Sequence, residues 1–429
     1  MNTTHQPVRL QYNETPAPSP FYINPKKWVF NVVFYVAFTL SGLLTIFTIL
    51  VGGFQYRMGL ISLAVVPLFL LCRWKINGVA MLYGLLVLTI LLSGLVNGST
   101  VTEIVLFLRI LGFSYLIYWL TRRYVNPRNA TRILKRCLIL CSIQLPIILI
   151  QRFTYDLLPS SVRARIIRVD IGFGTFNFKG DAALSFFCLL LVTVMLFSEK
   201  YKRISRYPLL SALWLTLTVF IANSVILHLV ISFIWIYYIA THLNKRSTMI
   251  LVSAVCIAFV VLSIFTPLLD YLSFTLNSVR SNLDRGATKE QSFFSGGYGR
   301  GAAISYYLSR PLLVLGDGPS AYYNPTDRSY VLGNTGHLFT FYSEIGILGL
   351  GISFIILLLM AVPIRRKKLH INRVSMLSFA SIIVLSLTTH IMNDISVMFA
   401  YCIVTMAAAA PPPGDVHSVV ISEAERVRK

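Results

Sequence analysis

The fold turns on the reading of residues 295–351, SGGYGRGAAISYYLSRPLLVLGDGPSAYYNPTDRSYVLGNTGHLFTFYSEIGILGLG. This stretch closes the only long polar segment of an otherwise apolar chain, then runs directly into a membrane-length apolar run through Gly336, His337 and Glu344. An arginine (Arg300), a Pro-then-Gly turn (Pro311, Gly316, Gly318), a histidine and a glutamate thus collect where a water-facing loop meets lipid.

Composition sets the frame around that junction. With 429 residues, 56% of them hydrophobic and 13% charged, and a mean hydropathy of +0.71, the chain lies far outside the soluble range. It reads as an all-α polytopic membrane protein. The net charge of +22 is spread as short basic clusters between apolar runs, a topology signal rather than a nucleic-acid surface. The six cysteines fall in or beside apolar runs, so they outline no disulfide framework.

Apolar runs lie at 28–51, 58–72, 76–96, 101–120, 133–150, 182–198, 208–222, 224–241, 248–266, 338–362, 374–391 and 395–409, which gives about 12 transmembrane helices. The division at Asn223-Ser224 is open, because 208–241 also reads as one broken or re-entrant element. The organisation is a disordered cytoplasmic tail (1–27, proline-rich and without signal-peptide character), a membrane domain (28–410) and a polar cytoplasmic end (411–429). Placing Lys and Arg on alternate loops puts both termini inside. The short outside loops 97–100, 223 and 392–394 carry no Lys or Arg, and 52–57 carries only Arg57.

Two long external loops depart from that pattern, the larger one late in the chain. Residues 151–181 hold Arg152, Arg163, Arg165, Arg168 and Lys179; residues 267–337 hold Arg280, Arg285, Lys289, Arg300, Arg310 and Arg328. Long loops cross a membrane regardless of charge, so solvated surface arginines are one reading. The predominance of Arg over Lys supports another, in which guanidinium forks face phosphate oxygens. Arg109 lies within a predicted span, about 12 Å below its outer end. An ionisable residue at that depth is either a functional group or half of a structural ion pair, and Glu103 is too far along the helix for a comfortable direct pair.

Walker, HExxH, CxxC and GxSxG signatures are absent, as are an Asp-x-Asp pair and adjacent histidines for a metal. The order Arg300, Pro311, Gly316-Asp317-Gly318, Gly336-His337 and Glu344-Ile345-Gly346-Ile347-Leu348-Gly349, with Gly172-Phe173-Gly174-Thr175-Phe176 after the earlier loop, resembles the O-antigen ligase and polymerase superfamily. The resemblance covers most of residues 28–409. It implies a multi-pass enzyme of the bacterial cytoplasmic membrane whose active site faces outside. The donor would be an undecaprenyl-pyrophosphate-linked glycan and the acceptor a second glycan or the lipid A core, with a chain-length regulator protein as a further partner.

On that resemblance His337 is the base that takes the acceptor hydroxyl proton and Arg300 a pyrophosphate ligand, with Arg163, Arg165, Arg168, Arg310, Arg109 and Arg57 as further substrate contacts, and neither metal nor other cofactor is needed. An ordinary interfacial histidine is the alternative for His337. Glu344 reads as a residue that caps or orients a neighbouring loop, Gly346, Gly349 and Gly351 as close-packing positions, and His390, Asn393 and Asp394 as a polar turn that either lines the site or, the preferred reading, is a plain loop. The chain departs from the family pattern at Asn223-Ser224-Val225, where many members carry Ser-Arg; Arg57 and Arg109 are the available substitutes. The aromatic content, 28 Phe and 22 Tyr, leans towards a polymerase, with a ligase as the alternative. A lipid-linked glycan flippase is the rival from another class, disfavoured because charge within the spans is nearly confined to Glu103 and Arg109. A glycosyltransferase with an acidic residue in its first external loop is disfavoured by the sequence GGFQYR at 52–57.

Overall fold

The computed structural model describes residues 25–40, 77–157, 172–176, 180–222, 224–242, 311–321, 323–324, 329–330, 336–362, 364–365, 368–369 and 372–409. These residues are helical apart from turns and two minimal antiparallel ladders, Tyr323–Asn324 with Ser329–Tyr330 and Ile364–Arg365 with Lys368–Leu369. The helices are α1 (Pro25–Tyr35, continued as a π-helical turn Val36–Leu40), α2 (Gly78–Val96), α3 (Val101–Tyr124), α4 (Ala130–Phe153), α5 (Asp181–Phe197), α6 (Pro208–Ala222), α7 (Val225–His242), α8 (His337–Ala361), α9 (Arg373–Leu385) and α10 (Ile395–Ala409). Among the described residues α2, α3, α4 and α8 are long and apolar enough to cross a membrane, and six shorter apolar helices accompany them. The chain is therefore a membrane-embedded helical protein. The predicted runs 58–72 and 248–266 lie outside the described residues, as does most of both long loops.

Local chemistry explains where the helices begin and end. Asn77 caps α2 by accepting from the Ala80 amide at 2.9 Å. Thr100 and Glu103 form a reciprocal capping box on α3, so Glu103 serves the helix start rather than Arg109. Helices α6 and α7 are separate elements, ending at Ala222 and starting at Val225, with His228 Nε2 against the Val219 carbonyl (3.1 Å) and Trp235 Nε1 donating to Thr216 Oγ1 (2.9 Å) between them. Helix α9 stops at Leu385, short of the predicted 391, because Ser386 to Thr389 close it with turns. Within α4, Pro146 has no N–H for the carbonyl of Ser142, and Trp214 Nε1 of α6 donates to that carbonyl at 2.9 Å instead.

The core forms around α5 and α10. Residues 183–196 of α5 are buried without interruption, as expected for a helix apolar on all sides. Phe30, Phe34 and Phe38 repeat every fourth residue on α1 and its π-helical turn, and all three pack on Phe399 of α10. The π-helical turn leaves carbonyls available to neighbours: Ala37 accepts from Ser396 Oγ at 2.7 Å and Phe38 from Thr175 Oγ1 at 2.6 Å.

Candidate functional site

Helix α8 is broken at Gly346, whose φ of 71° and ψ of −174° belong to a region that only glycine adopts readily. A break in a membrane helix strands backbone groups, and here each has a replacement. Ile347 N–H donates to the Leu313 carbonyl (2.9 Å) and Leu348 N–H to Val314 (3.4 Å), while Asp317 N–H donates to the Ser343 carbonyl (2.7 Å) and Gly318 N–H to Glu344 (3.0 Å). Those are the four groups that two regular helical bonds would have joined. The segment 313–318, bent and carrying positive φ at Gly316 and Gly318, thus stands in for one turn of helix.

Side chains from α2 finish the accounting. Ser93 Oγ lies within hydrogen-bonding distance of the Leu315 carbonyl (2.5 Å) and the Glu344 carbonyl (3.0 Å), and Asn97 Nδ2 donates to the Gly316 carbonyl (3.1 Å) and the Ser93 carbonyl (2.8 Å). The fit depends on absent side chains, since a Cβ on Gly346 would overlap the Val314 carbonyl and one on Gly316 the carbonyl group of Glu344. The buried Glu344 carboxylate accepts from the Ser320 amide at 3.0 Å, so it orients the neighbouring loop as expected from the sequence. Gly346 packs closely against that loop rather than against another helix, and Gly351 faces open space, so close packing does not account for it.

His337 opens α8. Its amide donates to the Thr389 carbonyl and that of Leu338 to Ser386, both at 3.0 Å, so the end of α9 caps the start of α8. Gly336 permits the approach, because a Cβ there would overlap the carbonyls of Ser386 and Leu387. The His337 side chain is 0% exposed, and among the described residues neither Nδ1 nor Nε2 has a hydrogen-bond partner. Its ring lies over Phe341 with centroids 3.8 Å apart and stands edge-on to His390 at 5.9 Å and 86°. The imidazole is therefore enclosed by protein rather than facing a water-filled loop. The reason is the 386–394 turn, which folds back over it. In the same turn Asp394 Oδ1 accepts from the amides of Ser396 (2.9 Å) and Val397 (3.0 Å); burial pushes this carboxyl above the usual aspartate range, and the two amides pull partly against it.

The Gly172 to Phe176 motif docks on α4. Gln144 accepts the Thr175 amide (2.8 Å), and Gln151 both donates to the Gly174 carbonyl (2.7 Å) and accepts its amide (2.9 Å). Arg152 Nη2 donates to the Ile221 carbonyl at 2.5 Å, so this arginine of the first long loop holds the end of α6. Arg109, by contrast, is exposed. Phe107 meets Phe341 at 5.3 Å, and Arg109 lies about 200° further around α3, so the structure does not bring it to His337.

Arg57, Arg163, Arg165, Arg168, Arg300 and Arg310 lie outside the described residues. Sequence reasoning assigned no part to Ser93, Asn97 or Ser320 and read His390 either as lining the site or, by preference, as part of a plain loop; only the Gly316-Asp317-Gly318 turn signalled the close approach. Among the described residues no group of three or more His, Cys, Asp or Glu could hold a metal ion. Chemically, a neutral imidazole offers one N–H donor and one acceptor nitrogen, and at His337 both are enclosed and lack a partner among the described residues. Comparison of the chain with protein-family models, with curated proteins and with solved structures finds no match.

Proposed function

We propose that this protein is a membrane glycan transferase that uses an undecaprenyl-pyrophosphate-linked glycan as donor, working as a polysaccharide polymerase that joins repeat units at the outer face of the bacterial cytoplasmic membrane. The observation that carries this reading is His337. A buried imidazole whose two nitrogens lack partners among the described residues costs on the order of 1–3 kcal/mol, a penalty that buried polar groups in folded proteins normally avoid. A proton-transfer role accounts for retaining it, and the broken helix that carries it belongs to the class of membrane elements found beside substrates.

In the proposed step the acceptor hydroxyl oxygen bonds to the anomeric carbon of the donor. The bond from that carbon to the pyrophosphate oxygen breaks, and the lipid pyrophosphate leaves with the bonding electrons. The hydroxyl proton passes to His337. Arg300, with Arg163, Arg165, Arg168 and Arg310, supplies positive charge to the leaving group, and Arg109 on its exposed face meets lipid-borne phosphate.

The test is purified protein with a polyprenyl-pyrophosphate glycan donor in the presence of a chelator. Chain extension that is lost in His337→Ala, with membrane insertion intact, supports the reading; full activity in that variant removes the base. Deletion of the gene followed by a gel of surface polysaccharide separates the two acceptors. One-unit caps on lipid A indicate a polymerase, and long chains left on the carrier indicate a ligase.

A further inference from the structure

The end of α3 and the start of α4 carry Arg122, Arg123, Arg128, Arg132, Lys135 and Arg136, all exposed, and the sequence contains no carboxylate between Glu103 and Asp156. Among the described residues the contacts of these side chains are to neutral groups. Arg122 Nη1 donates to the Tyr118 hydroxyl at 2.6 Å and its guanidinium lies 5.9 Å from that ring; Arg123 lies 5.6 Å from the Trp119 ring; Arg136 Nη1 donates to Asn31 Oδ1 at 3.3 Å. Arg132, Lys135 and Arg136 share the face of α4 opposite its buried row of Ile133, Leu134, Cys137 and Cys141.

The turn between the helices is built rather than loose. Asn126 Oδ1 accepts from the amides of Arg128 (3.0 Å) and Asn129 (3.1 Å), while Asn129 Oδ1 accepts from Asn126 (2.9 Å) and its Nδ2 donates to the Tyr124 carbonyl (2.6 Å). With Asn129 committed to the turn, α4 starts with no side-chain cap and no acidic residue in its first turn. The positive end of the helix dipole therefore adds to the cations instead of being offset. The general excess of basic residues on one side of a membrane explains their sidedness, but not a self-satisfied turn that gathers this much charge at a helix start beside interfacial rings.

We propose that this hairpin is a docking surface for anionic phospholipid headgroups in the leaflet it faces. Cation clusters of this size next to a membrane helix match phosphate-bearing lipids, and Trp119 and Tyr124 set the depth at which the headgroup meets them. The surface is separate from the His337 site and does not depend on the reaction assigned there.

The test uses the full chain in nanodiscs of phosphatidylcholine doped with phosphatidylglycerol, with retained lipids counted by native mass spectrometry. Wild type is expected to retain phosphatidylglycerol preferentially. The preference should fall on the order of 100-fold at low salt in Arg128→Gln/Lys135→Gln/Arg132→Gln, because each cation near the surface contributes separately. In wild type it should also weaken as salt rises from about 50 to about 500 mM. Equal retention of both lipids by wild type, or an unchanged preference in the triple variant, overturns the proposal. If the variant fails to insert, a salt-insensitive preference in wild type overturns it. Binding of polyglutamate without any lipid preference assigns the surface to an acidic protein segment instead, and also overturns it.

Discussion

The amide of Ile347 donates to the carbonyl of Leu313 at 2.9 Å and not to Ser343, the partner four residues back that a continuous helix would give it. This exchange, with its companions at Leu348, Asp317 and Gly318, joins α8 to the loop before it. It makes the start of α8, which carries His337, a separately braced arm.

Gly346→Ala should destabilise the fold by on the order of 1–3 kcal/mol from backbone strain alone, with added cost from overlap with Val314. Thermal unfolding in detergent reads this as a lowered Tm. An unchanged Tm would mean that α8 runs straight.

Glu344 separates charge from hydrogen bonding. Glu344→Gln keeps an acceptor for the Ser320 amide and should change stability by less than about 1 kcal/mol, whereas Glu344→Ala leaves a buried donor unpaired and should cost about 1–3 kcal/mol. Equal effects of the two variants would show that the loop is held in another way.

Asp394 gives a pH dependence with a definite sign. Its folded pKa is raised by burial, so the charged form destabilises the fold above both the folded and unfolded values, and the penalty fades as pH falls through the folded value. Asp394→Asn, which still accepts the Ser396 and Val397 amides, should show a Tm equal to wild type or higher by at most a few degrees at pH 8. That advantage should disappear once the pH is below the ordinary aspartate pKa. A lower Tm for the variant at pH 8 would mean that the carboxylate charge itself stabilises the turn.

Histidine accessibility tests the enclosure directly. Diethylpyrocarbonate should modify the exposed His242 readily and leave His337 unmodified, as read by peptide mass spectrometry. Gly346→Ala, by loosening the arm, should raise the rate at His337. Equal rates at the two histidines in wild type would contradict a buried base.

Much of the helical plan was legible because apolar runs such as 76–96 and 133–150 must find helix or lipid, and α2 and α4 lie over them. The break in α8 was not. Residues 345–351 stay apolar through Gly346, so hydropathy sees one continuous span, while the groups that compensate the break come from Leu313 to Gly318 and from Ser93 and Asn97 at the end of a helix far away in sequence. Glu344 was legible as a loop-orienting residue because it lies seven residues after His337, about two helical turns away and too far for direct contact. The meeting of His337 with His390 was hidden for the opposite reason, since a histidine in a polar turn looks solvated until the turn is seen folded onto α8.

The most direct test of the account replaces His337 with leucine, which removes both unpaired nitrogens at similar volume. The Tm of His337→Leu should be unchanged or raised, since the apolar replacement leaves no buried polar atom behind. Glycan transfer from a polyprenyl-pyrophosphate donor, with chelator present, should fall by at least about 100-fold, the loss expected for a general base. A His337→Leu protein that inserts normally and transfers glycan at the wild-type rate would contradict the central claim.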